Sequence, residues 1–305
     1  MKIAYLILAH NNPRTLKKAI ETLSTEDCAF FVHVDGKANI RKFSSIGGDN
    51  IFFCTQRIPV YWGEFSLVQA TFLLIRNALE QSSRFDYFVL LSGSDYPLRT
   101  GHYIRAFFEN NRGSEFFNLV KMPAPGYPLS KINRLRYPSH QPFRRFATRV
   151  VAKLGLAQRD YQKYLKGLEP YSGSQWWAIS REAVQYLVEY SNSNPHVEGY
   201  FRCSFTSDEM FFHTILGNSP FRSRIRRNLV YLDWPTSNEH PTLLDDEHLK
   251  YFGAQEKVWV NDEWGSGEVL FARKFSDDNL DLLERMDAMI KRKDVTVASC
   301  SLSST

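Results

Sequence analysis

The chain has 305 residues, of which 43% are hydrophobic and 23% are charged, and 38 Lys and Arg against 33 Asp and Glu give a formal net charge of +5. This balance is typical of a globular protein and excludes a disordered chain, a collagen and a coiled coil. A charge of +5 is too small to indicate nucleic-acid binding, but it suits a small anionic substrate. At this length we expect one large domain or two tightly packed lobes.

The first apolar run, Ile3–Ala9, has the length of a β-strand. A signal peptide needs a longer apolar region, and a membrane-spanning helix needs about 20 apolar residues. The four cysteines are scattered without a CxxC pair, which argues against a zinc site. We therefore expect a cytoplasmic protein that is at most peripheral to a membrane.

The first third of the chain alternates apolar strands with amphipathic helices. We predict strands at residues 2–9, 29–34, 50–55 and 87–91, and helices at residues 14–23 and 66–79. This order predicts an α/β protein whose mostly parallel central sheet has helices on both faces. Ligands of such folds bind beyond the carboxyl ends of the strands. Polar loops follow three predicted strands, at His10, Asp35 and Ser92, and we expect the site there.

The second half has a less regular pattern. Residues 121–149 are rich in Arg, Pro and Tyr, which predicts a long excursion with a basic helical piece at residues 144–156. The segment Ser207-Asp208-Glu209 predicts the start of a helix, because a Ser or Asp cap precedes apolar residues at helical spacing. Further predicted elements are strands at 173–179 and 229–234 and helices at 181–189 and 277–292. No repeat or linker separates the halves, so we expect a single domain.

Most common phosphate-binding and catalytic motifs are absent from the sequence, including GxGxxG, GxxxxGK[ST], HExxH and GxSxG. No DxD follows an apolar strand, where a metal-dependent nucleotide-sugar transferase carries its Mg²⁺ or Mn²⁺ ligands. The nearest candidate is Ser-Gly-Ser-Asp95, which supplies one acid. The acidic residues 245–247 and 277–278 lie in polar stretches that are typical of solvated faces.

Several segments occur in an order that resembles a known family. They are AYLILAHNNP, FFVHVDGK, VYWGEFSLVQATFLLIRNAL, FDYFVLLSGSDYPLRT, YSGSQWWAISREAV, FTSDEMFFHTIL and VLFARKF. Together they resemble the core-2/I-branching enzymes, the β-1,6-N-acetylglucosaminyltransferases and peptide O-xylosyltransferases, over roughly residues 1–280. The resemblance implies a GT-A fold, an inverting mechanism, a UDP-sugar donor and no divalent metal. It also implies that residues 1 to about 115 bind the nucleotide-sugar, and that residues 116–305 bind the acceptor and carry catalysis.

Glu209, in the segment SDE, matches the catalytic glutamate of that family. An inverting transferase needs a general base that takes the proton from the acceptor hydroxyl, and a carboxylate is the usual base. The alternative is a glutamate that is favoured at a helix start by the helix dipole. Asp208 is the competing carboxylate, and we interpret it as a cap or an orienting group.

The diphosphate of the donor needs fixed cations when no metal is present. Lys274, in LFARKF, matches the family lysine that contacts the diphosphate, although an ordinary surface lysine is the alternative. A second family cation, an arginine upstream, has no clean match. Lys250 lies near that place without the bidentate fork of an arginine, and Arg273 is the other candidate. Asp95 stands where a DxD acid would be, and we expect it to contact the sugar or ribose.

The nucleotide is expected at the ends of the first two strands. His10 and Asn11 follow strand one, where family members hold the uridine and ribose. Asp35 suits a hydrogen bond to base or ribose, and Lys37 suits uridine or phosphate. Glu64 lies in a loop that matches a family loop near the donor. The alternatives are a helix cap at His10, a plain turn after Asp35 and a helix-start carboxylate at Glu64.

Acceptor contacts are expected from the strand before SDE and from the basic middle segment. Ser174, Trp176 and Trp177 belong to the predicted strand. Because strand side chains alternate, one tryptophan is expected to stack on a sugar ring and the other to lie in the core. Arg134 and Arg136 lie where family members keep acceptor-binding charges, and a basic solvated loop is the alternative.

The expected substrates are a UDP-sugar, carrying GlcNAc or xylose, and a glycan or glycolipid acceptor in cell-surface polysaccharide synthesis. Neither cofactor nor metal nor nucleic acid is expected. One alternative is a metal-dependent GT-A transferase of another family that uses Asp95. Another is a non-catalytic sugar-nucleotide or glycan-binding protein, against which Glu209 and Lys274 argue. A nucleic-acid-binding protein is a further alternative, and the only local feature that favours it is the basic stretch at residues 144–149. Residues 144–153 could also contact anionic lipid, unless they form a solvated helix face.

Overall fold

The structure, a computed structural model, describes residues 1–81, 84–136, 146, 150, 151, 153, 154, 157–235 and 241–302, with the backbone alone at 295–302. Most of the basic helical piece expected at 144–156 therefore lies outside the described residues.

Strands and helices are numbered here in chain order over the described residues. The strands are Ile3–Ala9 (β1), Cys28–Val34 (β2), Ile51–Phe53 (β3), Tyr87–Ser92 (β4), Tyr96–Pro97 (β5), Glu115–Phe117 (β6), Val120–Lys121 (β7), Tyr171–Ser172 (β8), Trp177–Ser180 (β9), Ile225–Arg226 (β10), Val230–Leu232 (β11), Trp259–Asp262 (β12), Gly265–Glu268 (β13) and Phe271–Arg273 (β14). The α-helices are Pro13–Leu23 (α1), Ser66–Glu80 (α2), Gly101–Asn110 (α3), Ser130–Asn133 (α4), Tyr161–Leu165 (α5), Arg181–Ser193 (α6), Pro195–Phe201 (α7), Phe211–Gly217 (α8), Asp246–Gly253 (α9) and Leu280–Leu302 (α10). Short 3₁₀ turns cover Ile40–Phe43, Ser207–Glu209 and Pro220–Arg224.

The central sheet has seven strands in the order β10-β6-β9-β4-β1-β2-β3. β1 is parallel to β2 and β4, β2 is parallel to β3, and β10 is parallel to β6, whereas β9 runs antiparallel to β4 and β6. Every residue of β1 and β2 is buried, which requires cover on both faces of the sheet. Helix α2 packs on β1 and β2, and α6 packs on β4 and β9. The predicted α/β class with a mostly parallel sheet is confirmed.

Two predictions in the second half were wrong in detail. Of the strand expected at 173–179, only the last three residues are extended, in β9, and the four residues 173–176 separate β9 from β8 without pairing with either. A Cβ at Gly173 would lie 1.9 Å from the carbonyl oxygen of Asn118, so this backbone is pressed against a neighbouring loop. The helix expected to begin at Ser207 is first a 3₁₀ turn and becomes helical at Phe211, because Thr206 is left-handed with φ 51° and the first turn is tight.

A second sheet, of order β11-β14-β5, connects the end of the chain to the central sheet. In it Ala272 pairs with Tyr96, so the next residue of β14, Arg273, comes beside the residue before Tyr96, Asp95. Helix α10 packs on α1 and α9, and the hydroxyl of Tyr96 donates to Asp287 on α10 at 2.6 Å. Among the described residues no helix has both the length and the apolar character that crossing a bilayer requires.

Replacing either of two glycines by alanine should change the free energy of unfolding, in opposite directions. A Cβ at Gly101, at the start of α3, would lie 2.2 Å from the carbonyl oxygen of Leu23, whereas a Cβ at Gly199, in α7, meets nothing within 4 Å. Gly101→Ala should lower the free energy of unfolding by about 1–3 kcal/mol because backbone must move. Gly199→Ala should raise it by up to about 1 kcal/mol through helix propensity. Urea denaturation measures both, and a neutral Gly101→Ala would show that α1 and α3 approach less closely.

Candidate active site

The carboxyl ends of the parallel strands β1, β2 and β4 meet at one edge of the sheet, as predicted. His10 and Asn11 are exposed directly after β1, and Asp35 follows β2. Partial burial lowers the pKa of His10, Asp35 raises it, and the ammonium groups of Lys274 and Lys37 lower it further. These charged groups therefore surround a neutral imidazole at neutral pH.

Asp35 is used inside the loop that it begins. Its Oδ1 accepts hydrogen bonds from the amides of Lys37 at 2.8 Å and Val60 at 3.2 Å, and its Oδ2 lies 3.6 Å from the Lys37 ammonium. The ammonium lies 4.1 Å from the ring centroid of Tyr61 and also donates to the Val60 carbonyl. The turn predicted after Asp35 therefore forms, and within it Asp35 positions Lys37 beside the ring of Tyr61.

Sequence reasoning missed two residues that hold this loop. Arg57 donates from Nε to the Val34 carbonyl at 3.0 Å and from Nη2 to the Asp35 carbonyl at 2.7 Å. His33 accepts from the amide of Ile58 at 2.9 Å, and burial lowers its pKa to about 4, so it is a neutral acceptor. Arg57 lies in none of the family segments, and His33 lies in FFVHVDGK without an assigned role. Their hydrogen bonds to the loop depend on the folded structure and leave no pattern in the sequence.

Arg273 and Asp95 form a buried ion pair at the end of β4. Nη1 of Arg273 lies 3.1 Å from Oδ1 of Asp95, whose side chain has no exposed surface. The amide and hydroxyl of Ser92 also donate to this carboxylate, at 2.6 and 3.0 Å. The guanidinium carbon of Arg273 lies 4.2 Å from the ring centroid of Trp176. Both oxygens of Asp95, for which the sequence predicts a contact with sugar or ribose, are thus engaged by Ser92 and Arg273.

Lys274 and Lys250 differ in their surroundings. Lys274 is half-buried beside Arg273, and its ammonium has no ion pair among the described residues. Burial and the neighbouring guanidinium lower its pKa. Lys250 is exposed on α9, where its ammonium pairs with Glu247 at 2.7 Å. Of the two candidates for the second diphosphate cation, Arg273 is the one that stands next to Lys274.

Glu209 lies on a turn that the rest of the fold fixes in place. The amide of Thr206 donates to the Gly63 carbonyl at 2.7 Å, and a Cβ on Gly63 would lie 2.7 Å from the Phe205 ring. The buried hydroxyl of Ser207 donates to the Phe201 carbonyl at 2.8 Å. The loop that carries Glu64 therefore abuts the turn of Glu209, whose side chain retains 35% of its exposure. That exposure leaves the carboxylate accessible.

Asp208 and Glu209 form a pair of carboxyl groups with unequal environments. Burial, and then the charge of Glu209, raises the pKa of Asp208 to about 8. Burial also raises the pKa of Glu209, while the ammonium of Lys131, 3.9 Å from its Oε2, opposes that rise. Two close carboxyl groups do not ionise together readily, so a protonated Asp208 accompanies an ionised Glu209. Oδ1 of Asp208 is buried without a hydrogen-bond partner in the described structure.

The four residues between β8 and β9 join the two charged clusters. The Gly173 amide donates to the Glu209 carbonyl at 3.0 Å, and the ring of Trp176 lies under Arg273. Three residues of extended chain span at most about 11 Å, so this segment links the turn of Glu209 to Arg273 and its neighbour Lys274. The region between these two groups of side chains is called the cleft below. Ser174 fixes the segment, since its carbonyl bonds Nε2 of His213 at 3.0 Å and its hydroxyl accepts from the Trp176 amide at 3.3 Å.

Both tryptophans are buried, and only Trp177 belongs to a strand, β9. Trp177 is buried in the core, 6.1 Å from the ring of Phe212. Trp176 is also buried, with Arg273 over its ring. The most exposed aromatic ring beside the cleft is instead that of Trp62, with 64% of its surface accessible.

The two arginines of the basic middle segment lie differently. Arg136 is exposed with its guanidinium 4.4 Å from the Phe205 ring, which also contacts Trp62 at 5.4 Å. Arg134 is exposed and contributes its backbone carbonyl to Arg159 at 3.3 Å. The structure therefore brings Arg136 to the turn that leads to Glu209, whereas Arg134 makes no comparable side-chain contact with the residues that the structure describes.

Sequence reasoning also missed an aromatic side of the cleft. The Lys131 ammonium, already beside Glu209, lies 4.9 Å from the ring centroid of Tyr127. That ring contacts Trp264 at 5.5 Å, at the tip of the β12–β13 hairpin. The aromatic richness of the chain was the only signal, and it did not single out these positions.

Comparison with known proteins identifies the class. The family described as Core-2/I-Branching enzyme matches residues 3–252. The chain belongs to this family, and so to the glycosyltransferases. It is similar to xylosyltransferase 2 of Rattus norvegicus, with 26% identity over 243 residues, 77% of this chain and 27% of that protein. Xylosyltransferase 2 of Canis lupus familiaris is 26% identical over 244 residues, with the same coverage.

Xylosyltransferase 1 of Rattus norvegicus is 24% identical over 245 residues, 77% of this chain and 28% of that protein. The chain thus spans about a quarter of the length of these curated relatives. Among solved structures, a putative glucose-1-phosphate thymidylyltransferase from Bacillus anthracis matches with a TM-score of 0.29 and 12% identity, over 65% of this chain and 82% of that chain. That likeness is too low to carry a conclusion.

Because the pKa of Asp208 is raised, the stability of the protein should depend on pH. The native carboxyl keeps its proton to about pH 8, whereas an unfolded aspartate loses its proton near pH 4, so wild-type stability should fall as pH rises through that window. Asp208→Asn removes this penalty, and its stability gain should grow from pH 4 toward pH 8, by at most about 1.4 kcal/mol per pH unit.

Urea denaturation at several pH values measures this gain. The control is Asp49→Asn at an exposed position, which should follow the wild type at each pH. A gain for Asp208→Asn that is the same at pH 5 and pH 8 would contradict a raised pKa at Asp208.

Proposed function

We propose that this chain is an inverting, metal-independent glycosyltransferase of GT-A type that moves GlcNAc or xylose from a UDP-sugar to a hydroxyl of a glycan or glycolipid. The observation that supports this most is that one four-residue segment contacts both the backbone of an accessible carboxylate, Glu209, and the first of two adjacent cations, Arg273 and Lys274. The segment 173–176 connects them directly. A base at one side and cations at the other are what an in-line displacement at an anomeric carbon requires.

Glu209 is the proposed general base. Its ionised carboxylate takes the proton of the acceptor hydroxyl while that oxygen bonds to the anomeric carbon, from the face opposite UDP. Burial raises the pKa of Glu209, which makes it a stronger base, and Lys131 limits the rise so that the group stays ionised. A neutral Asp208 spares Glu209 the repulsion of a second charge. The product is a β-linked sugar.

Arg273 and Lys274 are proposed to bind the leaving diphosphate. As the bond between the anomeric carbon and the diphosphate oxygen breaks, negative charge grows on that oxygen, and fixed cations in a partly dry site stabilise it. Asp95 offsets the charge of Arg273 in the absence of donor, and Lys274 has no such partner among the described residues. The missing DxD, and the guanidinium beside the one acid at its place, support metal independence.

The uridine is proposed to lie at the rim formed by Lys37 and the ring of Tyr61. The ammonium of Lys37 is held over that ring by Asp35, and His10 and Asn11 are exposed on the adjoining loop. A neutral imidazole can both donate and accept hydrogen bonds, which suits a nucleoside. Glu64 follows Tyr61 by three residues, and its amide donates to the Tyr61 carbonyl at 3.1 Å, in the loop that abuts the turn of Glu209, so its place favours the sugar end of the donor.

Lys274→Ala should weaken UDP binding, because it removes the ammonium nearest to the open cleft. A hydrogen bond to a charged group is worth about 1.5–3 kcal/mol, so the Kd for UDP should rise at least about tenfold. Lys250→Ala is the matched control, since it removes the same charge from the exposed helix α9 and should leave the Kd unchanged. Calorimetric titration measures both. Equal effects of the two substitutions would remove Lys274 from the donor site.

The base assignment is tested by Glu209→Gln. The amide keeps the shape of the side chain but accepts no proton, so the transfer rate should fall by about 10²–10⁴-fold. UDP affinity should persist because Glu209 faces the acceptor. The melting temperature should move little, since a carboxylate in a first helical turn contributes at most about 1 kcal/mol.

The matched control for this substitution is Glu182→Gln, a glutamate in the first turn of α6, which should leave the transfer rate unchanged. Transfer by Glu209→Gln at nearly the wild-type rate would move the assignment to Asp208. Loss of activity in proportion to a large loss of melting temperature would show that Glu209 is structural.

A further inference from the structure

A groove lined by basic and aromatic side chains lies beside the cleft and is not used by the chemistry above. It encloses about 300 Å³, and its polar and aromatic lining, called the basic groove below, is Phe117, Lys121, Tyr171, Arg222, Arg226 and Trp264. The groove follows the edge of the central sheet, where β10 pairs with β6.

The charges of the basic groove do not cancel. Lys121 is paired with Glu169. Arg222 and Arg226 are exposed, and neither forms an ion pair with a described carboxylate. Arg222 lies 5.4 Å over the Tyr171 ring, and Arg226 uses one nitrogen, Nη1, for the Ile225 carbonyl at 2.9 Å. Two guanidinium groups thus keep donors available for a ligand.

Two separate paths place the basic groove next to Glu209. On one side, Trp264 contacts Tyr127, whose ring is in contact with the Lys131 ammonium that faces Glu209. On the other side, Tyr171 of β8 stands two residues before Gly173, whose amide bonds the Glu209 carbonyl. Two residues of extended chain span at most about 7 Å. A molecule with a hydroxyl at Glu209 can therefore reach the groove.

Trp264 is rigidly presented to the groove. Its amide donates to Oδ1 of Asp262 at 3.0 Å in the turn of the β12–β13 hairpin. The buried Arg227 holds the same aspartate, with Nη2 2.7 Å and Nε 3.1 Å from its Oδ2. An indole held in this way offers a flat face to a sugar ring, while guanidinium groups bind carboxylate, phosphate or sulfate with two parallel hydrogen bonds.

We infer that the basic groove is an acceptor subsite for an anionic saccharide, with Arg222 and Arg226 binding its carboxylate, phosphate or sulfate while a hydroxyl of the same molecule faces Glu209. This inference rests on the proposed function, because it assigns the acceptor side of the same cleft. It defines the acceptor class as acidic glycans, and it makes the charge of the acceptor a determinant of KM.

The test measures binding of three oligosaccharides that differ only in charge. Cellotetraose is the neutral probe, its C6-oxidised form carries a carboxylate, and its 6-phosphate carries a phosphate. Titration followed by NMR at low salt should show the two anionic forms binding at least about tenfold more tightly than cellotetraose. The double variant Arg222→Ala/Arg226→Ala should lose that preference.

Arg224→Ala is the matched control, because Arg224 is an exposed arginine of the same segment that does not line the groove. It should keep the preference for the anionic probes. Equal binding of neutral and anionic probes, or a preference that survives in the double variant, would overturn the inference. A preference for only one anionic probe would support it and identify the anion.

UDP titration of the same samples separates this inference from the proposed function. The double variant should bind UDP like the wild type, because neither arginine contacts the donor cations. UDP binding without any preference for anionic saccharides would overturn the subsite alone. Anionic preference without UDP binding would support an acidic-saccharide site and overturn the transferase assignment.

Discussion

The buried guanidinium of Arg273 is the constraint on which the cleft depends. It belongs to β14, its charge is balanced by Asp95 after β4, and its face covers Trp176 before β9. Three separate parts of the chain therefore meet at one cation. Breaking a buried pair by removing one partner costs about 3–5 kcal/mol, because the remaining charge is uncompensated. The arrangement fixes the backbone of the neighbouring Lys274, the residue that we propose for the diphosphate of the donor.

At the other side of the cleft, a half-buried acidic group is likewise stabilised by a nearby opposite charge. Asp208 is buried and the adjacent Glu209 is half-buried, and burial raises the pKa of both. Lys131 stabilises the charge on Glu209, the more exposed of the two. One carboxyl group is thus kept neutral while the other is ionised. Of these two adjacent acids, only Glu209 is then available as the base that we propose.

The apolar strands β1, β2 and β4 and the position of the site at their carboxyl ends could be predicted, because burial on both faces leaves long apolar runs followed by polar loops. The role of Asp95 could not, since the pairing of β14 with β5 decides its partner and leaves no local pattern. Lys250 was chosen for its place along the chain, and Glu247 engages it instead. Tyr127, Lys131 and Trp264 lie in a loop, in the one-turn helix α4 and in a hairpin turn, none long enough to show a periodic pattern, so only the fold brings them together.

The central claim is that fixed side-chain cations, and not a metal, hold the donor diphosphate. Calorimetric titration of UDP into the protein, once in EDTA and once in Mn²⁺ or Mg²⁺, tests it most directly. The account predicts the same affinity in both titrations, because Arg273 and Lys274 belong to the chain. Binding of UDP that appears only when the metal is added would contradict it.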